Sequence, residues 1–222
     1  MISFKGRQIP QTFEEIVDPR HTALIVHELL NDFCAKGGAF DKAGRIIDVS
    51  GILPGVRALI AEARRLKIKL VYVRYTNHAD YSTLSDPMIV RQYETLTNPN
   101  GPPPASVEGT WGWENLDEVK PQVGDTIVKK YRVDSFIGTN FDHILRWNGI
   151  RTIVILGAGA EAGIVPTATH AFNLGYFVVA VSDCIRPTEP AWLDDAMKFI
   201  GRSAILKPHT EVIQAWRSRS PA

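Results

Sequence analysis

Three short stretches carry residue types that could act chemically on a small molecule. In VHELLNDF, residues 26 to 33, the carboxylates Glu28 and Asp32 follow an apolar run, and Glu28 stands directly at its end. A carboxyl partly withdrawn from water keeps its proton to higher pH, which suits general acid or base work; the same residue could instead satisfy itself by pairing with a cation. TIVKK, residues 126 to 130, ends in two lysines that alternate in direction along a strand. One of Lys129 and Lys130 therefore shares a side with Glu28, as a catalytic pair or as a structural salt bridge. GAGAEAGIVPTATHA, residues 157 to 171, is placed where a strand hands over to a helix, a usual site for a nucleophile, yet it offers no Cys, Ser or Lys before Thr167.

The elements that must position these residues follow from periodicity. TALIV (22 to 26), KLVYVRY (69 to 75), TIVKK (126 to 130), TIVILGA (152 to 158) and YFVVAVSD (176 to 183) read as strands buried on both faces, with a weaker sixth at 203 to 206. Between them, 53 to 68 gathers Val56, Leu59, Ile60, Ala63 and Leu66 on one helical face, and 139 to 150 repeats the pattern more briefly. PTATHAFNLGY fits a helix with Pro166 in its first turn and Gly175 near its end, and WLDDAMKFIG closes the series. Strand and helix in alternation predict an α/β fold with right-handed crossovers and a mostly parallel sheet. Such sheets bind ligands at the carboxyl ends of their strands, where all three stretches lie.

Residues 76 to 115 break the pattern. Four prolines fall between 99 and 104, and Trp111 and Trp113 flank Gly112, so this region reads as loops above the sheet that form a lid or a subunit contact, or merely pack as loops. Residues 1 to 20 read as an N-terminal arm, and the whole of 1–222 as one domain. Twenty-five Lys and Arg stand against 24 Asp and Glu with no long run of one sign, which excludes nucleic acid or an acidic membrane surface as the main partner. A small-molecule substrate is expected. No apolar stretch approaches the ~20 residues of a membrane span, and the N-terminus has no leader pattern, so a soluble, cytoplasmic protein is expected. Cys34 and Cys184 are too few for a disulfide framework, no CxxC or HExxH spacing occurs, and no zinc-site pattern surrounds His78. Neither a metal nor a cofactor is expected.

ALIVHELLNDFC, KKYRVDSFIGTNF and ILGAGAEAGIVPTATHAFNLGY, taken in order, resemble the signature segments of the isochorismatase-like, or cysteine hydrolase, superfamily; the resemblance runs from about Ala23 to Asp183. It implies a three-layer, Rossmann-like α/β fold with a six-stranded parallel sheet flanked by helices, and a homodimer or homotetramer. The family's amidases use an Asp at the end of the first strand, a Lys six residues before a Phe, and a Cys in the turn after the fourth strand. These positions fall on Glu28, on Lys130 before Phe136, and on Gly163. The nucleophile is thus missing, and Cys34 and Cys184 match other positions, so a thioester route is not expected.

The family's isochorismatases also carry glycine in that turn and a His before the acid, as His27 precedes Glu28. Their cleavage of a vinyl ether needs a proton donor and no nucleophilic side chain. The resemblance therefore implies a hydrolase in which Glu28 acts as acid or base, with Lys130 holding its charge state or a substrate carboxylate. It also implies that Gly159 and Gly163 lend amides to an oxyanion, that the Ala158–Gly159 bond is cis, and that Arg132 meets an anionic group. Glu161 stands where isochorismatases have a His, and could pair with Glu28; Thr76 stands where they have a Gln. Trp111 is expected at the lid or interface. Two alternatives remain: a member that binds a ligand or partner without catalysis, and an amidase whose cysteine at 163 has been replaced.

Overall fold

A computed structural model of the protein describes residues 1–98 and 104–219. In the N-terminal arm β1 (Ile2–Phe4) and β2 (Arg7–Ile9) form a small antiparallel hairpin, which the apolar pattern does not announce because it is exposed almost throughout. The apolar runs become β3 (Thr22–His27), β4 (Lys69–Tyr75), β5 (Thr126–Lys130), β6 (Thr152–Ala158), β7 (Phe177–Arg186) and β8 (Ile205–Lys207), a parallel sheet ordered β5-β4-β3-β6-β7-β8, in which the edge strand β5 is buried only at Val128 and Lys130 rather than on both faces. This is the α/β fold with a six-stranded parallel sheet that the alternation and the resemblance lead one to expect.

The helices are α1 (Phe13–Ile16), α2 (Asn31–Cys34), α3 (Ala39–Lys42), α4 (Leu53–Arg65), α5 (Asp86–Thr97), α6 (Phe141–Trp147), α7 (Val165–Asn173), α8 (Leu193–Ile200) and α9 (His209–Ser218). Alternation along each strand divides the core in two. On β3, Leu24 and Val26 face a core shared with α4 and α9, whereas Ala23 and Ile25 face one shared with α6, α7 and α8. β6 repeats this, with Val154 and Leu156 on the first face and Ile153 and Ile155 on the second. His27, two residues after Ile25, is thereby directed to the α7 side. No helix among the described residues is long and apolar enough to cross a membrane.

The excursion between β4 and β5 differs from the loops expected of it. SDPMIVRQYETLT forms α5, with Pro87 in its first turn and Asp86 suited to the helix's positive end. Its apolar residues are spent outward, Val90 and Tyr93 being exposed, so no buried stripe betrays it. Residues 99–103, which hold three of the four prolines, lie outside the described residues. Beyond them the chain is tied down over the sheet. The Asp32 carboxylate accepts the N–H groups of Ser106 (2.6 Å) and Ala39 (2.9 Å), and Asn115 joins Arg74 Nε (2.8 Å) to the Leu29 carbonyl (3.3 Å).

Candidate active site

The carboxyl ends of β3, β5 and β6 converge on one buried cluster. β3 ends at His27, and Glu28 follows with φ of 51°, the left-handed region that a side chain with a Cβ seldom enters. The backbone is held there from both sides, because the Glu28 N–H donates to Val73 O (3.0 Å) and the Leu30 N–H donates back to Glu28 O (2.9 Å). The side chain, 7% exposed, turns toward the neighbouring strand ends rather than continuing the pleat.

Alternation along β5 resolves the two lysines. Lys130 is fully buried, on the side of Val128, while Lys129 lies toward solvent beside Glu108. Lys130 Nζ stands 2.9 Å from Glu28 Oε1 as an ion pair, off the hydrogen-bond direction, so Oε1 is buried without a directed hydrogen bond. The ammonium donates to the Val133 carbonyl at 2.6 Å and meets His27 Nε2 at 3.0 Å. Two of its N–H groups are thus engaged inside the cluster, and its charge faces Glu28.

His27 is the partner that the spacing of charged residues missed. Its Nδ1 lies 2.8 Å from Ala158 O, and a carbonyl only accepts, so Nδ1 carries the hydrogen. Nε2 is then the acceptor of a Lys130 N–H. Complete burial, and next the positive charge of Lys130, push its pKa down to about 4 despite the Glu28 carboxylate and the Ala158 carbonyl. The ring is neutral near pH 7.

The glycine-rich turn closes the cluster. Gly157 (φ 128°) and Gly159 (φ 77°) bend the chain through positive φ, and a Cβ on Gly157 would strike the His27 carbonyl at 2.0 Å. No cis peptide occurs among the described residues, so the cis bond implied at Ala158–Gly159 is corrected: the two glycines make the bend with trans peptides. Ala160–Ile164 then forms a π turn leading into α7. Within it the Gly163 N–H donates to Gly159 O at 2.8 Å, and Ile164 N–H reaches the same oxygen at 3.0 Å. The implied oxyanion role for the Gly163 amide is therefore also corrected, since the turn itself uses that hydrogen. A Cβ on Gly159 would lie 3.3 Å from Glu28 Oε2, which places this glycine over the carboxylate.

The remaining candidates divide. Glu161 accepts the Thr188 N–H (3.2 Å to each oxygen) and the Thr188 hydroxyl, fastening the turn to the segment after β7. Arg132 Nη1 donates to the carbonyls of Thr83 (2.8 Å) and Tyr131 (2.6 Å), holding loops together. Thr76 is buried; its hydroxyl donates to Arg74 O (3.1 Å) and accepts from Trp113 Nε1 (3.0 Å). Trp111 is half exposed and lines a cavity of about 640 Å³ together with Asn31, Cys34, Leu53 and Leu116. Tyr75, at the end of β4, was not singled out by its spacing; burial first, then the charge of Glu28, push its phenol up to about 12 against the pull of Arg132. Burial first also lifts the thiols of Cys34 and Cys184 to about 12, far from a thiolate at neutral pH.

Asp183, Cys184 and His209 are the one group of metal-ligating side chains gathered among the described residues. There Asp183 accepts the His209 backbone N–H (2.9 Å) and meets its ring Nδ1 (2.6 Å), an arrangement that caps α9.

Residues 22–205 match the family model described as the isochorismatase domain. The ureidoacrylate amidohydrolase of Agrobacterium fabrum is 28% identical over 207 residues, covering 88% of this chain and 91% of that protein. Among solved structures, the isochorismatase family protein of Desulfovibrio vulgaris subsp. vulgaris str. Hildenborough is similar with a TM-score of 0.75 at 27% identity, covering 89% of this chain and 99% of its own. The N-carbamoylsarcosine amidase of Thermoplasma acidophilum follows with a TM-score of 0.65 at 28% identity, covering 85% and 96%.

Proposed function

The chain belongs to the isochorismatase family and is a hydrolase of small molecules, and we propose that it works by direct attack of water, with no covalent enzyme intermediate. The observation that carries this reading is the turn after β6. Where the family's cysteine would stand there is Gly163, packed against His27 and Lys130, and both thiols of the chain are protonated near neutral pH.

Glu28 is the proton-transfer group. On a C–N substrate, such as the ureide of the Agrobacterium relative, it takes a proton from water, the hydroxyl adds to the carbonyl carbon, and the proton passes to the departing nitrogen. On an enol ether the order reverses: protonated Glu28 gives its proton to the vinyl carbon, water captures the oxocarbenium ion and returns a proton to Glu28, and the hemiketal so formed collapses to a ketone as its ether C–O bond breaks and the alcohol leaves. Either route uses the buried Oε1 that no hydrogen bond claims. Lys130 stabilises the negative charge of Glu28 between steps. The chain acts as a cytoplasmic homodimer or homotetramer, a reading supported by the exposure of Ile137, Phe172 and Phe199.

The test is hydrolysis of isochorismate, ureidoacrylate and small amides by the wild type, by Glu28→Gln, and after iodoacetamide treatment. Turnover is expected with at least one compound, reduced about 10²–10⁴-fold by Glu28→Gln and untouched by the alkylating agent. Turnover indifferent to Glu28→Gln would sink the proposal. Failure of the whole panel would favour a member that binds without catalysis.

A further inference from the structure

A Cβ built on Gly163 would lie 2.4 Å from His27 Cε1, 2.9 Å from His27 Nε2 and 2.9 Å from Lys130 Nζ. Side-chain carbons do not approach other atoms so closely, and a thiol would reach further along the same direction. The imidazole cannot easily step aside. It is wholly buried, and its Nδ1–H is engaged by the Ala158 carbonyl. Lys130 is equally fixed, by the Val133 carbonyl and by Glu28.

We propose that His27 is a positioning residue that takes the place of the absent side chain at 163: its neutral ring fills that space, accepts an N–H of Lys130 at Nε2, and excludes a cysteine from the turn. The charges explain why a neutral acceptor is needed. An imidazolium would set an N–H against the Lys130 ammonium, and the neutral ring avoids this. It leaves the cation balanced by Glu28 alone, and leaves water as the nucleophile. The link to Glu28 chemistry rests on the function proposed above; the steric and hydrogen-bonding claims do not.

Those claims are tested without a substrate. Gly163→Cys is made alone and combined with His27→Ala, and alkylation of residue 163 by iodoacetamide at pH 7 is followed by peptide mass spectrometry, with Cys34 and Cys184 as slow internal references. The single variant is expected to melt well below the wild type and to alkylate slowly. In the double variant the thiol gains room beside a released Lys130, so alkylation is expected to be at least about tenfold faster. Equal rates in the two, or a single variant as stable as the wild type, would overturn the exclusion. Should the single variant fail to fold while the double variant folds, the clash is supported. Nitrogen-15 NMR of the wild-type histidines at pH 7 provides a measurement that needs no variant to fold. His27 is expected to show a protonated Nδ1 and a bare Nε2; a proton on Nε2 would overturn its role as acceptor for Lys130. An inactive enzyme would leave all these outcomes unchanged, so failure of the hydrolase reading remains distinguishable from failure of this one.

Discussion

Glu28 occupies a backbone conformation that costs about 1–3 kcal/mol, and the surrounding strands hold it there by hydrogen bonds on both sides of the peptide. Strain of this kind concentrates where a side chain must be aimed rather than packed. Glu28 and Lys130 were visible in the sequence because strand ends in parallel sheets face the ligand and β5 alternates. His27 carried a weaker signal, its place two residues after Ile25, and only the missing Cβ of Gly163 shows what the ring fills. The left-handed φ of Glu28 left no mark in the sequence at all. A buried neutral His27 also makes stability depend on pH. Its folded pKa is depressed, so between the unfolded value near 6.5 and about 4 the unfolded chain holds the extra proton. Stability is therefore present above about pH 6.5 and is lost as the pH falls through this window. His21 shifts in the same direction, mainly by burial. Urea midpoints at pH 7, 6, 5 and 4.5 are expected to fall in the wild type and to fall less steeply in His27→Asn; identical slopes would contradict a depressed His27 pKa.

On one face α4 and α9 are joined by Glu62, a nearly buried carboxylate that accepts from Arg217 Nε (3.0 Å) and Nη2 (3.1 Å) and from Arg65 Nη2 (2.6 Å). The bonds from Arg217, and next those from Arg65, hold its pKa down to about 2. A depressed carboxyl stabilises above its unfolded pKa of about 4.5, and that contribution is lost as the pH falls toward 2. Because both guanidinium groups are more than half exposed, Glu62→Gln is expected to lower stability by only about 1–2 kcal/mol. Chemical denaturation at pH 7 measures it, and the variant should also lose part of the acid sensitivity below pH 4.5. An unchanged midpoint would mean that α9 is held by Val212, Ala215 and Trp216 alone. The strands were legible because burial on both faces leaves unbroken apolar runs, as in TIVILGA. α5 was not, since it turns apolar residues such as Val90 and Tyr93 to solvent. The π turn was legible only as a run of small residues, because the extra residue in its ring follows from Gly159 accepting two successive N–H groups.

Across the whole molecule, residues 104 to 116 cross from β4 to β5 over the carboxyl ends of the sheet and are anchored at its centre. The buried Arg74 guanidinium lies 4.4 Å from the Trp113 ring and donates to Asn115, which continues the link to Leu29 beside Glu28. Thr76, expected to meet a ligand, supports the same segment through Trp113. Arg74→Met is therefore expected to speed amide exchange at Ser106, Glu114 and Leu116 about tenfold while leaving β3 and β6 protected. Exchange that stays slow in this segment would show that the Asp32 contacts suffice to hold it. The sheet has a second property at this scale. Its strand order leaves β5 with a single neighbour, an open row of backbone groups able to accept a strand from another molecule. Lys130 lies at the end of that row, with its charge directed inward rather than to solvent. Removing the ammonium would leave the buried Glu28 carboxylate unpaired, so Lys130→Met is expected to melt well below the wild type; an unchanged melting temperature would contradict the pairing.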